Sequence, residues 1–177
     1  MSAFAPARLN GVPLRSTNTV GYRSQTPGFD ARSGEGARRF GGRYNPPRSF
    51  PVVYLCLSRA CVVAELTRQA LRQSVQLQDL LPRELWALEA ALERVLDLTD
   101  AVVLSGVGLT PQDLVRGDHG LTQEIGEAAH ERGIQAVKSP SATGVDEVLA
   151  VFPENLAGTT LSVDLAEVWS VVDDLAR

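Results

Sequence analysis

The segment from Gly36 to Leu66, GARRFGGRYNPPRSFPVVYLCLSRACVVAEL, brings together guanidinium groups, phenols and one carboxylate over three successive elements. It opens as a Gly- and Arg-rich loop, passes through a short apolar stretch and ends on a helical pattern carrying Glu65 among apolar neighbours. An enzyme that grips a dinucleotide and breaks its glycosidic bond needs this set. Arginine pairs with phosphate through two parallel hydrogen bonds, a geometry lysine does not offer. A carboxylate beside the anomeric carbon stabilises an oxocarbenium-like transition state.

Other chemistries find no support. The two histidines, His119 and His130, and the two cysteines, Cys56 and Cys61, lack zinc-ligand spacing. There is no phosphate-binding G-x-x-x-x-G-K-[ST] loop and no G-x-G-x-x-G opening a helix after a strand, so Gly41-Gly42 is not a dinucleotide fingerprint of that type. No G-x-S-x-G elbow occurs. His119, in the polar turn RGDHG, is not expected to be catalytic. No apolar run reaches membrane-spanning length, and the N-terminus shows no signal-peptide core. Reduced thiols in a cytoplasmic protein are the expectation for Cys56 and Cys61.

Charge is distributed unevenly. Residues 1–50 hold eight arginines and no lysine against Asp30 and Glu35, a net +6, which leaves −10 for the remainder of a chain with net charge −4. The overall sign argues against general binding to nucleic acid and against direct DNA contact by this chain. The basic N-terminal third suits phosphate, or alternatively an acidic partner.

The elements that must position these groups follow from pattern. At 177 residues the chain fits one domain. Residues 1–18 read as a loose arm, and Thr19–Arg23 as a first strand. Residues 24–51 read as a long loop, a length that tends to be functional. Val52–Leu57 is a β-branched strand, and Ser58 an N-cap for a helix from Arg59 to about Arg72. Between Leu85 and Leu98, composition favours helix, whereas the alternation of Trp86, Leu88, Ala90 and Leu92 with more polar neighbours favours strand. Thr99 and Thr110-Pro111 read as helix caps, Thr122–Arg132 as a helix closed by Gly133, and Val148–Phe152 and Thr160–Val163 as strands. This alternation implies α/β or α+β.

The order GARRFGGRYNPP, VVYLCLS, a helix with AEL and a late SPSAT resembles the RES domain family over roughly residues 20–165. The family's usual pattern is GA…GGRWNPPG…LYLA.S…A..E followed by a PS(A/V) turn. Tyr44 stands where tryptophan is more usual. Tyr54 matches the strand tyrosine, Glu65 the helix glutamate, and Ser141 the serine, with Ser139 a rival. LDLTD at 96–100 and FPENL at 152–156 are similar to later family segments. The resemblance implies an α+β domain, residues 19–177, like the ADP-ribosyltransferases of the diphtheria-toxin type, with central β-sheets flanked by short helices. It also implies a strand over 86–96, and the alternation and the family are followed there.

The resemblance further implies the toxin of a bacterial toxin–antitoxin pair, held off by an Xre-type antitoxin, with a possible homodimer in the complex. Family members consume NAD+ by hydrolysis or phosphorolysis, without a metal, and some attach ADP-ribose to a protein. Glu65 is then the catalytic carboxylate, or else an ordinary solvated helix glutamate. Arg23 and Arg43 are candidates to clamp phosphate oxygens. Tyr54, and behind it Tyr44, can stack on a base or on nicotinamide, or simply fill a core. Ser141 can bond the ribose or the amide, or be a turn serine. Asn155 can touch the ligand or cap a turn. Gly41 and Gly42 let the backbone pass close to the ligand. The competing functions are protein ADP-ribosylation from the same site, and a non-enzymatic binding module.

Overall fold

The computed structural model describes residues 4–177. The strands are β1 (Arg15–Gln25), β2 (Val53–Cys56), β3 (Arg83–Asp97), β4 (Ala136–Pro140), β5 (Glu147–Val151) and β6 (Ser162–Trp169). The helices are α1 (Glu35–Phe40), α2 (Arg59–Gln73), α3 (Ala101–Gly106), α4 (Pro111–Val115) and α5 (Gly120–Glu131). The strands run in the order β1-β2-β5-β4-β3-β6, and β1 also pairs with β3 along most of its length. That extra pairing closes five strands into a ring. The fold is α+β, but its sheet is one mixed barrel, not separate flat sheets. Among the described residues only the β3–β4 pairing is parallel.

The barrel closes because β3 is long enough to serve three neighbours. One edge follows β1 from Gln25↔Glu84 to Arg15↔Val95. The other takes β6 at residues 83–89 and β4 at residues 95–97. Leu88, Ala90 and Leu92 are buried while Glu89, Ala91 and Glu93 are exposed, so period-two patterning overrides the helix propensity of this segment. These residues pack with Val53, Leu55, Ala136, Leu149 and Val151 in one apolar cluster. A second cluster joins α3–α5 to Leu96, Val137 and Phe152. A third joins α2 to Leu85 and Trp169.

Several sequence expectations change. The strand begins at Arg15, and Phe4 and Leu9 are buried, so the described part of the N-terminal segment is packed, because its apolar side chains find a place against α5 and α3. Met1–Ala3 lie outside the described residues. The long loop contains α1. Asp100, not Thr99, caps α3, accepting from the backbone N–H groups of Val102 and Val103. Thr110 does begin α4, exchanging bonds with Asp113. The last strand starts two residues later than expected and runs to Trp169. β4 is absent from the sequence reading. The Ser58 cap is as expected, with its side chain accepting from the Cys61 N–H at 3.2 Å.

Candidate active site

A cavity of about 620 Å³ opens over β1 and β2, between α2 and the start of α5. Its walls carry Arg23, Arg43, Tyr54, Glu65, Arg68, Arg72, Arg83 and His119. Among the described residues Glu65 is the only carboxylate on that wall, against five arginines. The cavity is therefore strongly cationic in a chain that is acidic overall, which suits an anionic ligand.

Helix α2, which carries Glu65, is tied down at its start. Ser58 caps its start. Arg59 makes a two-pronged pair with Glu167 on β6, Nε to Oε1 at 2.7 Å and Nη2 to Oε2 at 2.9 Å, and donates to the carbonyls of Asp174 and Leu175. Cys61, Val62, Leu66 and Ala70 form its buried stripe. Glu65 lies beside that stripe, half-buried, and its carboxylate is engaged. The Ser141 hydroxyl donates to Glu65 Oε1 at 2.8 Å. Ser141 is 1% exposed, accepts from the Thr143 N–H at 3.1 Å and meets Thr143 Oγ1 at 2.6 Å. The serine of the β4–β5 turn thus supports the carboxylate from behind. Ser139 does not reach it: its Oγ is buried without a hydrogen-bond partner, as is the hydroxyl of its neighbour Tyr44.

The GGRYNPP segment is a clasp around Tyr54. The Tyr54 hydroxyl accepts from the Tyr44 N–H and donates to Asn45 Oδ1, both at 2.8 Å. Asn45 in turn donates to the Ala37 carbonyl at 2.7 Å. Gly42 is required by this ring: a Cβ there would lie 2.5 Å from the Tyr54 hydroxyl. The expected role of Gly42 beside a ligand is thus, in the first place, room for tyrosine. Gly126 on α5 does the same for the clasp's backbone, since a Cβ would meet the Tyr44 carbonyl oxygen at 1.8 Å. Gln123 closes the contact by donating to the Gly42 carbonyl at 2.9 Å. Burial pushes the Tyr44 phenol up to about 12 and raises that of Tyr54 as well, so both stay protonated at neutral pH.

The two arginines singled out in the sequence have backbone anchors. Arg23 donates from Nη1 to the carbonyls of Ala31 and Ser33, at 3.0 and 3.1 Å. Arg43 donates to those of Leu114 and Arg116, at 3.0 and 2.9 Å. Burial is the main influence lowering the pKa of each. Each anchor leaves other guanidinium nitrogens free to face the cavity. Tyr44 is fully buried, and its backbone is what the clasp uses. Asn155 is not part of the site: its amide donates to the carbonyls of His130 and Ile134, tying off the end of α5 away from the cavity.

Several cavity residues escaped the sequence reading as site residues. Arg68, Gln69 and Arg72 follow Glu65 by three, four and seven positions, one face of a helix, and that spacing was a usable signal. Arg83 opens β3 and donates to the Ser24 carbonyl at 2.7 Å. His119, for which no catalytic role was expected, lies on the cavity wall, where burial first, then Arg43, Arg72 and Arg68, hold the imidazole pKa below its ordinary value. Cys56 and Cys61 are buried free thiols. Among the described residues no group of three or more His, Cys, Asp or Glu converges as a metal site requires, and no helix is long and apolar enough to cross a membrane.

A closed mixed barrel with one serine-held glutamate in an arginine-lined cavity defines a class of site suited to anionic glycosides. The RES domain family matches residues 20–174, and the chain belongs to that family. The NAD(+) phosphorylase MbcT of Mycobacterium tuberculosis is 37% identical over 135 residues, covering 75% of this chain and 73% of that protein, and the protein of the same name from Mycobacterium bovis matches equally. The crystal structure of the M. tuberculosis MbcT–MbcA toxin–antitoxin complex superimposes with a TM-score of 0.82 at 30% identity, over 93% of this chain and 91% of that one.

Proposed function

We propose that this protein is the toxin of a toxin–antitoxin pair and cleaves the nicotinamide–ribose bond of NAD+. The observation that carries this reading is the Glu65 carboxylate, held at 2.8 Å by Ser141, on the wall of a cavity lined by five arginines. The kinship with NAD(+) phosphorylase MbcT supports the substrate. NAD+ enters with its pyrophosphate toward the arginines and its nicotinamide ribose toward Glu65. As the glycosidic bond stretches, its electron pair passes to the pyridinium ring, which departs as neutral nicotinamide. Positive charge then gathers on C1′ and the ring oxygen, and Glu65 stabilises it until an oxygen of water or phosphate adds to C1′. Tyr54 offers a ring edge, clamped by its hydroxyl, against which a planar group can lie. NAD+ is consumed as a substrate, and the reading assigns no metal.

On the same reading the fold is a variant of the ADP-ribosyltransferase type and acts in the cytoplasm. A cognate antitoxin silences it, of Xre type and within a complex that pairs two toxin chains. The crystallised relative's MbcT–MbcA partnership supports an antitoxin. The test is NAD+ loss by the purified protein, with nicotinamide measured as product. Wild-type protein consumes NAD+, whereas a folded Glu65→Gln variant does not. Equal turnover by the two removes Glu65 from the mechanism.

A further inference from the structure

The Ser141 hydroxyl has a single proton to give and meets Glu65 Oε1 at 2.8 Å, Thr143 Oγ1 at 2.6 Å and the Thr143 N–H at 3.1 Å. The N–H can only donate, and an ionised carboxylate can only accept. The Ser141 proton therefore goes to Glu65, and the 2.6 Å contact is closed by the Thr143 hydroxyl donating to Ser141 Oγ. Thr143 Oγ1 in turn accepts from the Val145 N–H at 3.2 Å. These bonds make one chain of fixed direction, from the Val145 N–H through Thr143 and Ser141 to Glu65. The turn that carries it is closed on itself. The Ser141 N–H donates to the Asp146 carbonyl at 3.0 Å, and the Gly144 N–H to the Ser141 carbonyl at 3.1 Å. Ala142 lies on the cavity wall, whereas Thr143 does not, so the route of Thr143 to the site runs through Ser141.

Resting on the proposed role of Glu65 in NAD+ cleavage, we infer that Thr143 is a positioning residue: its hydroxyl fixes the direction of the Ser141 proton and so holds Glu65 as an aimed, ionised carboxylate. A serine hydroxyl rotates to suit its neighbours. With the Thr143 hydroxyl donating into Ser141 Oγ, the serine proton has one favourable direction left, toward Glu65. Bonds in such a chain polarise one another, so a hydroxyl that accepts from two donors is itself the stronger donor. Loss of the Thr143 hydroxyl leaves Ser141 Oγ with one donor in place of two, which weakens the Ser141–Glu65 bond and frees the serine to turn. The carboxylate is needed as an anion of fixed orientation at the moment positive charge gathers on C1′, so slack in this chain is felt in the transition state. Serine and threonine hydroxyls also bond nearby N–H groups in ordinary turns. Here the far end of the chain is a backbone N–H and the near end is the carboxylate of the site.

The experiment is steady-state nicotinamide release by the full chain, with NAD+ varied at saturating phosphate. Wild type is compared with Thr143→Val, Thr143→Ser, Ser141→Ala and the double variant Thr143→Val/Ser141→Ala. Valine keeps the branched shape and exchanges the hydroxyl for a methyl group at a half-buried position, so the variant folds, which circular dichroism checks. The expected result is a kcat lowered about threefold to tenfold in Thr143→Val, the size of one weakened hydrogen bond, with the KM for NAD+ within about twofold. Thr143→Ser keeps the hydroxyl and stays within about twofold of the wild-type kcat. In the Ser141→Ala background Thr143→Val removes nothing further, because the chain is already cut. A wild-type kcat in Thr143→Val overturns the inference. So does a loss that serine does not restore, or one that adds in full to that of Ser141→Ala, since either makes Thr143 a packing residue of the turn. A raised KM with unchanged kcat also overturns it. A wild type that consumes no NAD+ ends the catalytic reading of Glu65. A melting-temperature cycle of Thr143→Val with Glu65→Gln, two residues joined through Ser141, then decides the chain by itself: coupling upholds the relay, and full additivity overturns it.

Discussion

Replacing Ser141 with alanine tests whether the site depends on a held carboxylate. Ser141 Oγ donates to Glu65 Oε1 at 2.8 Å and accepts from the Thr143 N–H at 3.1 Å, in a position 1% exposed. A hydrogen bond to a charged group contributes about 1.5–3 kcal/mol, and the substitution also leaves a part-buried N–H without its partner. For a domain of this size each kcal/mol corresponds to about 2–4 °C in Tm, so a fall of roughly 3–12 °C is expected. The catalytic effect is separable. If Ser141 fixes Glu65 for the transition state, the same interaction lost there lowers kcat by about tenfold to a hundredfold, with little change in KM for NAD+. The assay is nicotinamide release at saturating NAD+ and phosphate, well below the variant's Tm. In a Glu65→Gln background Ser141→Ala should cost less in Tm than it does in the wild type, because the charged partner of its hydrogen bond is gone. A Ser141→Ala enzyme that melts early yet turns over within about twofold of wild type would refute positioning and reduce the serine to a turn residue.

Three other outcomes follow from the geometry. Tyr54→Phe removes an acceptor for the Tyr44 N–H and a donor for Asn45, and should cost about 1–3 kcal/mol in a denaturant titration. Gly126→Ala drives a methyl group into the Tyr44 carbonyl and should destabilise by about 1–3 kcal/mol or more, with weaker NAD+ binding because the clasp under Tyr54 shifts; unchanged melting and KM would contradict the contact. His119 has a folded pKa below its usual 6.5, so the unfolded chain takes up a proton that the folded chain resists. Its contribution is fully present above about pH 6.5 and is lost as pH falls through the folded value, so His119→Gln should flatten the decline in Tm between pH 7.5 and 5.5.

The legible part of the site was the part written in contiguous sequence. Glu65 on a Ser58-capped helix, Tyr54 on an apolar strand and the GGRYNPP block were visible because each motif is local. The pairing of Glu65 with Ser141 was not, because it joins residues 76 apart through a barrel whose closure rests on β1–β3 pairing. Arg68 and Arg72 were within reach of helical periodicity, which was applied to the apolar face and not carried to the polar one. The place of His119 on the cavity wall was not legible, because a polar turn looks alike whether it faces solvent or lines a cavity. Asn155 misled in the opposite sense: an amide that ties off a helix end carries the same local signature as one that meets a ligand. The barrel itself was hidden, since six strands of alternating or apolar pattern do not state whether the first and third will pair.

The route of the chain around the barrel has a consequence for how the protein comes off the ribosome. Glu65 is synthesised in the first half of the chain, but its serine arrives on the turn between β4 and β5, and β2 gains its second partner only when β5 emerges. A nascent chain that stops before Val151 contains every arginine of the cavity wall and the glutamate as well, yet it has an incomplete β5 to set β2 in place. Translation therefore holds the chemistry in an unassembled state until most of the protein has been made, and a truncated or proteolysed fragment from the N-terminal side inherits the reactive residues without the architecture that arms them.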